Sequence, residues 1–292
     1  MDKLKIADAI STVTNPPIIT IPLFLIICAV LSFDTNGFDF TKFIVLEVVS
    51  LVFASILPMA IIIYWAKKLN TDKDISNRGD RYTPLVVGIV SYFIGFLVCI
   101  FLKLDCFITL LLLCYAVNTG VVLLITTKWK ISVHTTGMSG PVGALILLLG
   151  PIGAAFGVLY PLMIWSRVLL EKHTMAQAVC GAAQGFFLTV IEMYLYMYLF
   201  NMWVPGLVSL EMSISYILAI IATPVVLGIF SYIHVGNSKV VFYLIETVFL
   251  VMFLLFTPLS VASIYIIISL TSILISYYAG PDFVWYKILN SS

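Results

Sequence analysis

The sequence predicts an all-α protein, a polytopic transmembrane helical bundle of about ten spans. The chain has 292 residues, of which 62% are hydrophobic and only 10% are charged, and its mean hydropathy is +1.14. A soluble domain has about 25% charged residues. Apolar runs of about 20 residues recur along the chain, and that length crosses a bilayer as a helix. The formal net charge of +1 gives no basic field for nucleic acid.

The apolar segments follow a mixed N-terminal stretch that ends at Pro17 and has no cleavage pattern of a removable signal. The region 135–168 is too long for one span and contains a Gly-Pro-Ile-Gly turn pattern, so we expect two short helices hinged at Gly150. The other predicted spans are residues 18–33, 43–66, 84–102, 106–127, 175–200, 212–232, 240–256 and 258–279.

The distribution of lysine and arginine predicts the orientation. With ten crossings, thirteen of the fifteen cations lie on one side, all except Lys42 and Lys103. Cytoplasmic loops have this excess, so both termini and the polar loops are expected to face the cytoplasm from an integral cell membrane. We divide the chain into N-terminal spans (1–66), a core (67–200) and additional C-terminal spans (201–292). The five cysteines form no CxxC pair, and we expect neither disulfides nor a thiolate metal site.

Three segments between the spans concentrate the polar residues, and the topology places all three at one membrane face. They are residues 72–84, 128–137 and 165–177, and they contain two of the three histidines. This set has too few carboxylates and no thiolates for a good metal cage. Arginine side chains and hydroxyls bind phosphoryl oxygens, while one histidine can attack phosphorus and another can protonate the leaving oxygen. The residues predict a phosphate site that requires no metal or other cofactor.

The third segment resembles a motif of the type 2 phosphatidic acid phosphatase superfamily, which includes acid phosphatases, prenyl-diphosphate phosphatases and vanadium haloperoxidases. The motif is S-R-x5-H-x3-D. Ser166 and Arg167, followed after five residues by His173, match it up to the last position, where Gln177 replaces aspartate. The resemblance covers residues 67–200.

The other two motifs match less completely. Ser132 and His134 fit the serine and histidine of P-S-G-H, and 31 residues separate His134 from the third motif, which suits the helical hairpin of the family. The first motif, K-x6-R-P, fits worst, because Lys73 to Arg81 is one residue too long. Phosphate binding is therefore assigned to Arg81 and also to Arg78.

The resemblance implies a lipid phosphatase that forms a phosphohistidine. His173 would be the nucleophile and His134 the acid that protonates the leaving group. Phosphate would be held by Arg81, Arg167, Lys130, Ser132 and Arg78. The substrate would be an isoprenoid diphosphate or another lipid phosphate such as phosphatidate, with its tail among the spans.

The glutamine at position 177 leaves three alternatives for the nucleophile. An aspartate would stabilise the imidazolium ion, whereas Gln177 accepts a hydrogen bond without bringing charge. Gln177 therefore orients a neutral His173, or Glu171 or Asp80 supplies the carboxylate, or the nucleophile is weakened. We favour orientation by Gln177.

Acidic residues inside membrane spans indicate function by default. Gln177, Gln184 and Glu192 share one face of the helix from residue 175, either as the lining of a headgroup pocket or as an interhelical hydrogen-bond ladder. Glu47 and Glu246 have no evident partners, so a proton or ion path through the spans stays an alternative interpretation.

Other polar and small residues have simpler interpretations. We interpret His234 as an interfacial residue. We expect close helix packing, rather than chemistry, at one group of glycines: Gly137, Gly140, Gly143, Gly153, Gly181 and Gly185.

Two functions compete with the phosphatase. A non-catalytic transporter or scaffold that retains the fold is favoured by Gln177, the weak first motif and the extra spans. A prenyltransferase would need two Asp-rich magnesium motifs, and only residues 77–80 resemble one remotely. Stimulation by magnesium would favour it.

Overall fold

The computed structural model describes residues 3–70, 75, 77–202 and 207. This part is helical apart from a two-stranded antiparallel hairpin, so the all-α prediction is confirmed for it. The predicted spans 212–232, 240–256 and 258–279 lie outside the described residues, as do His234 and Glu246.

The helices are numbered in chain order, and a π-helical stretch (Leu51–Ile56) joins the third to the fourth. They are α1 (Lys3–Val13), α2 (Pro16–Leu31), α3 (Phe40–Ser50), α4 (Leu57–Leu69), α5 (Tyr82–Phe101), α6 (Cys106–Thr126), α7 (Val133–Leu149), α8 (Pro151–Ala155), α9 (Leu159–Leu169) and α10 (Met175–Phe200). Two 3-10 turns, Gly79–Arg81 and Phe156–Val158, precede α5 and α9. The strands are β1 (Phe33–Asp34) and β2 (Gly37–Phe38).

Five helical stretches of the described part are long and apolar enough to cross a membrane. They are Phe40–Leu69, Gly79–Phe101, Cys106–Thr126, Ile152–Leu169 and Met175–Phe200. The bent pair α1 and α2 would make a sixth, and α7 is a shorter apolar helix. The predicted span 43–66 belongs to a longer helical stretch of 30 residues, because helical structure continues through the π-helical turns.

The chain bends by 58° between α1 and α2. Two prolines begin α2, and a residue before proline favours extended backbone. Asn15 accordingly has φ −58° and ψ 131°, so α1 ends and the chain changes direction. The sequence indicated a mixed helical stretch here but no packing partner for it.

The break predicted at Gly150 is present. Gly150 ends α7 with a φ of +56° and a ψ of −121°, a conformation that glycine adopts without a Cβ clash. Pro151 then begins α8, and the segment from residue 151 to Leu169 returns as a second helical stretch. His134 of the second motif lies at the start of α7, and Ser166 and Arg167 of the third motif lie near the end of α9.

α7 is the central helix of the described part. Thirteen of its seventeen residues are buried, and it packs against α2 and α10. A Cβ on Gly181 or Gly185 would collide with Thr135 or with the backbone of Thr136. The predicted close packing is confirmed at these glycines, and it holds the start of α10 against the start of α7.

The outer face of α5 is apolar and exposed. Val86, Val90, Phe93 and Leu97 follow at intervals of three or four residues and are each 45–50% exposed. Exposed apolar side chains at this spacing form one stripe along a helix, and hydrocarbon is the solvent that suits such a stripe.

Candidate functional site

The three polar segments meet at one end of the helical bundle. Residues 77–81 lead into α5, residues 127–132 join α6 to α7, and residues 170–174 join α9 to α10. The backbone N–H of Ser132 donates to the carbonyl oxygen of Gln177 at 3.2 Å. The second and third segments are therefore in direct contact.

Arg81 connects the first segment to the second. Its guanidinium is buried, and Nε donates to the carbonyl oxygen of Ile75 at 2.8 Å while Nη1 donates to that of Ile131 at 3.3 Å. The indole N–H of Trp65 donates to the carbonyl oxygen of Asp80 at 3.2 Å, which ties the same turn to α4. Arg81 thus has a fixed position where the two segments meet.

Gln177 fixes the orientation of the His173 ring. Thr174 caps α10, and Gln177 completes a capping box in which its Oε1 accepts the backbone N–H of Thr174 at 3.2 Å. The same Oε1 lies 3.2 Å from Nδ1 of His173. Because the amide oxygen is the shared acceptor, Nδ1 carries the proton and Nε2 has the free lone pair.

The Nε2 atom of His173 is ready to act as a nucleophile or a base. It is buried and has no hydrogen-bond partner within the described part of the chain. Burial, together with the positive charges of Arg81, Arg167 and Lys130, lowers the pKa of His173 from its usual value near 6.5 to about 3, while the hydrogen bond to Gln177 opposes the shift. The ring is therefore neutral near pH 7 and lies in a positive electrostatic field.

The second segment contains Ser132 and His134, and its backbone is hydrogen-bonded to Gln177, the residue that contacts this ring. Ser132 is fully buried and caps α7 by accepting the backbone N–H of Thr135 at 3.4 Å. His134 follows in the first turn of α7 and is 6% exposed. Lys130, half-buried just before the cap, is one of the three cations that act on His173.

Arg167 has a partner that the sequence did not reveal. Its side chain is fully buried, and Nη1 donates to Oγ of Ser11 in α1 at 2.6 Å. The hydroxyl of Ser166 donates to the carbonyl oxygen of Ala7 at 2.9 Å, and Ala7 packs against Trp165. Small residues at positions 7 and 11 of a helix lie on one face, and this spacing was the available signal.

Two residues of the first segment, Arg78 and Lys73, are not among those that the described part of the structure connects to the His173 ring. Arg78 is exposed before the 3-10 turn, and it is not among the charges that act on His173. Its role in phosphate binding stays a prediction. Lys73 of the first motif lies outside the described residues.

Asp80 and Glu171 are the carboxylates that the sequence offered in place of the aspartate of the motif. Asp80 accepts a hydrogen bond from the side chain of Asn77 at 3.0 Å, and Glu171 has a left-handed φ of +56° in the loop after α9. The side chain that contacts Nδ1 of His173 is Gln177, which agrees with the orientation alternative.

The polar stripe of α10 divides into two parts. Gln177 contacts His173, whereas Gln184 donates to Asn118 of α6 at 3.0 Å and Asn118 donates to Thr189 at 3.1 Å. The second part is an interhelical hydrogen-bond ladder, one of the two alternatives. Glu192 is buried one turn further along.

Comparison of the chain with models of protein families, with curated proteins and with solved structures finds no match in any of the three.

Proposed function

We propose that this protein is an integral membrane phosphatase that hydrolyses a lipid phosphate or diphosphate through a phosphohistidine, as the resemblance to the type 2 phosphatidic acid phosphatases implies. One observation carries the proposal. His173 is buried with Nδ1 held by Gln177 and Nε2 without a partner in the described part, and Arg81, Arg167 and Lys130 surround it from three segments.

The first step is the transfer of the phosphoryl group to His173. The Nε2 lone pair attacks phosphorus, and the bond from phosphorus to the leaving oxygen breaks. His134 gives its proton to that oxygen, so the lipid departs as an alcohol, or as a monophosphate from a diphosphate. The proton on Nδ1 stays on that nitrogen, hydrogen-bonded to Gln177. The cations stabilise the charge of the equatorial oxygens.

The second step regenerates the enzyme. His134, now neutral, accepts a proton from water, whose oxygen attacks the phosphorus of phosphohistidine. The P–N bond breaks, its electron pair returns to Nε2, and inorganic phosphate leaves. The two steps consume one water and need no further reactant.

The decisive experiment measures phosphate release by detergent-purified protein with EDTA present. Substrates are farnesyl diphosphate, farnesyl phosphate and dioleoyl phosphatidate, and the comparison variant is His173→Ala. We expect release in EDTA from the wild type and at least about a 10³-fold loss in the variant. Acid-labile, base-stable labelling of the wild type by ³²P-substrate would identify phosphohistidine.

Absence of release would contradict the proposal. The wild type and His173→Ala must first show the same monodisperse gel-filtration profile, so that misfolding is excluded. No release from any of the three lipids would then favour the transporter or scaffold, with Gln177 as the mark of a lost activity. Release of inorganic diphosphate from farnesyl diphosphate that depends on added magnesium would favour the prenyltransferase.

We further propose about ten spans, with the site facing the cytoplasm. The support is the bias of lysine and arginine along the sequence together with the meeting of the three segments at one end of the helices. A reporter that works only in the cytoplasm should be active when it is fused after Ser292. Activity there of a reporter that works only outside the cell would contradict this orientation.

A further inference from the structure

A cavity in the apolar interior reaches Arg81 of the candidate phosphate site. It lies between α2, α4, α5, α6 and α7, and Arg81 is at its polar end. The guanidinium of Arg81 also bonds to Ile131 and acts on His173. A lipid whose phosphate binds Arg81 would therefore extend its hydrocarbon end into this cavity.

The wall of the cavity is mostly apolar. Gly88, Gly137 and Gly140 line it, together with prolines of α2, α4 and α5. Tyr92 and Tyr115, whose rings meet edge to face at 5.3 Å, line it deeper along α5 and α6. A hydrocarbon chain suits this surface, and a methyl branch has room at Gly88, where an added carbon would make only ordinary contacts.

The dimensions of the cavity decide how many chains enter. Pro84 and Tyr92 both line it, and eight residues of helix span about 12 Å. The cavity volume is about 120 Å³, whereas an engineered apolar cavity of roughly 150 Å³ holds one benzene ring. This space accepts one chain and excludes a second chain beside it.

Tyr115 adds a preference for unsaturation. Its side chain is 7% exposed, and its hydroxyl has no hydrogen-bond partner within the part of the chain that the structure describes. A carbon–carbon double bond near the phosphate, as in a prenyl group, offers π electrons as a weak acceptor, whereas the part of an oleoyl chain nearest the headgroup is saturated.

From these features we infer that the cavity binds the first isoprene units of a prenyl phosphate or diphosphate, so that the protein selects single-chain isoprenoids over two-chain glycerolipids. The inference rests on the proposed function, because it places the phosphate at Arg81. It narrows the substrate class that the sequence left open.

Gly88 offers a direct test. A Cβ at Gly88 would meet Tyr92 and Thr119 at 3.6 and 3.9 Å, which are ordinary contacts. In Gly88→Leu the side chain fits at its base and its outer atoms fill the cavity. The matched control is Gly120→Leu on α6, where nothing lies within 4 Å of the added Cβ.

Phosphate release is measured from farnesyl phosphate, dimethylallyl phosphate and dioleoyl phosphatidate. For the wild type we expect kcat/KM to be at least about tenfold higher with farnesyl phosphate than with phosphatidate. Gly88→Leu should lower kcat/KM for farnesyl phosphate about tenfold, and by less than about threefold for dimethylallyl phosphate, which has one isoprene unit. Gly120→Leu should change neither.

Two results would overturn the inference while the phosphatase proposal survives. One is a kcat/KM for phosphatidate equal to that for farnesyl phosphate. The other is a farnesyl phosphate rate in Gly88→Leu equal to that in Gly120→Leu.

A binding measurement separates the two proposals if no substrate releases phosphate. A photoreactive farnesyl phosphate is crosslinked to the wild type, Gly88→Leu and Gly120→Leu, and the labelled peptides are mapped. Labelling of α5, α6 or α7 that only Gly88→Leu abolishes supports the cavity without catalysis. Labelling elsewhere, or labelling that Gly88→Leu leaves unchanged, overturns it.

Discussion

At the end of the bundle opposite His173, a lysine and an aspartate neutralise each other, whereas at the His173 end three cations act together on one neutral ring. Nζ of Lys42 lies 2.9 Å from Oδ2 of Asp105 and also donates to the carbonyl oxygen of Leu31 at 2.6 Å. α6, with 21 residues or about 31 Å, separates Asp105 from the candidate phosphate site.

The two ends show what a charge at a membrane surface can do. Where the partner is a fixed carboxylate, as in the ion pair of Lys42 and Asp105, the charge anchors helix ends. Where cations converge on a ring that burial keeps neutral, as around His173, they favour an anion that arrives from outside. The first arrangement is a structural contact, and the second suits a reaction that transfers phosphate.

The largest expected effect comes from removing a cation at each end. Arg81→Ala should lower kcat/KM by about 10³-fold, because Arg81 would bind the phosphate in the proposed reaction and also bridges Ile75 to Ile131. Lys42→Ala should change it by less than about twofold. Phosphate release from farnesyl phosphate, with matched gel-filtration profiles, measures both.

Arg81→Lys sharpens the same contrast. Lysine keeps the charge but cannot donate to both carbonyls through a planar fork. We expect an intermediate loss of about 10²-fold. Equal activity of Arg81→Ala and Lys42→Ala would show that charge at the two ends does not differ in function.

The next effect tests whether the hydrogen bond of Gln177 orients His173. Gln177→Leu removes the acceptor for Nδ1, so the ring can take the wrong tautomer, and kcat should fall about 10²-fold. Gln177→Glu keeps the capping box and adds a negative charge that stabilises the imidazolium of the transition state. We expect its kcat to exceed that of the wild type. A lower kcat in Gln177→Glu would refute the orientation model.

The pH dependence has a definite sign. The pKa of His173 is lowered to about 3, so the nucleophile stays neutral as pH falls from 7 and is lost only near pH 3. The carboxylate in Gln177→Glu should raise this pKa, so that the acid limb of kcat/KM moves to higher pH. Profiles of kcat/KM for the wild type and the variant, measured within the range where both stay folded, test this shift.

A smaller effect is expected from α1. Ser11→Ala removes the hydroxyl that accepts from Arg167, and kcat/KM should fall about tenfold, since the guanidinium loses one of its positioning contacts. Thr12→Ala is the matched control, because its hydroxyl donates to Asp8 within the same helix at 2.8 Å. If Ser11 only stabilised the fold, thermal stability would fall while kcat and KM stayed as in the wild type.

Sequence reasoning predicted the helices better than their contacts. Hydropathy predicted the span 175–200 with the bounds that the structure gives to α10, and glycine chemistry predicted the break at Gly150, because both depend on local residues. The bend at Asn15 and the position of α1 depend on long-range packing, which hydropathy does not contain.

The candidate site divides in the same way. Motif spacing brought His173, Arg167 and Ser132 into one region, and the structure adds contacts that no spacing could give. The hydrogen bond from Arg81 to Ile131 spans 50 residues and that from Arg167 to Ser11 spans 156. Such pairs form only when helices distant in sequence pack together.

The smallest effect concerns the ion pair at the opposite end. Asp105→Asn keeps the N-cap of α6, because asparagine caps as well as aspartate, and it removes the charge that faces Lys42. Exposed ion pairs contribute about 0.2–1 kcal/mol, and Lys42 is 39% exposed, so Tm in detergent should fall by only a few degrees at low salt. The difference from wild type should shrink in 1 M salt, with phosphate release unchanged. A loss of activity without a loss of Tm would mean that this end is coupled to His173 across the length of α6.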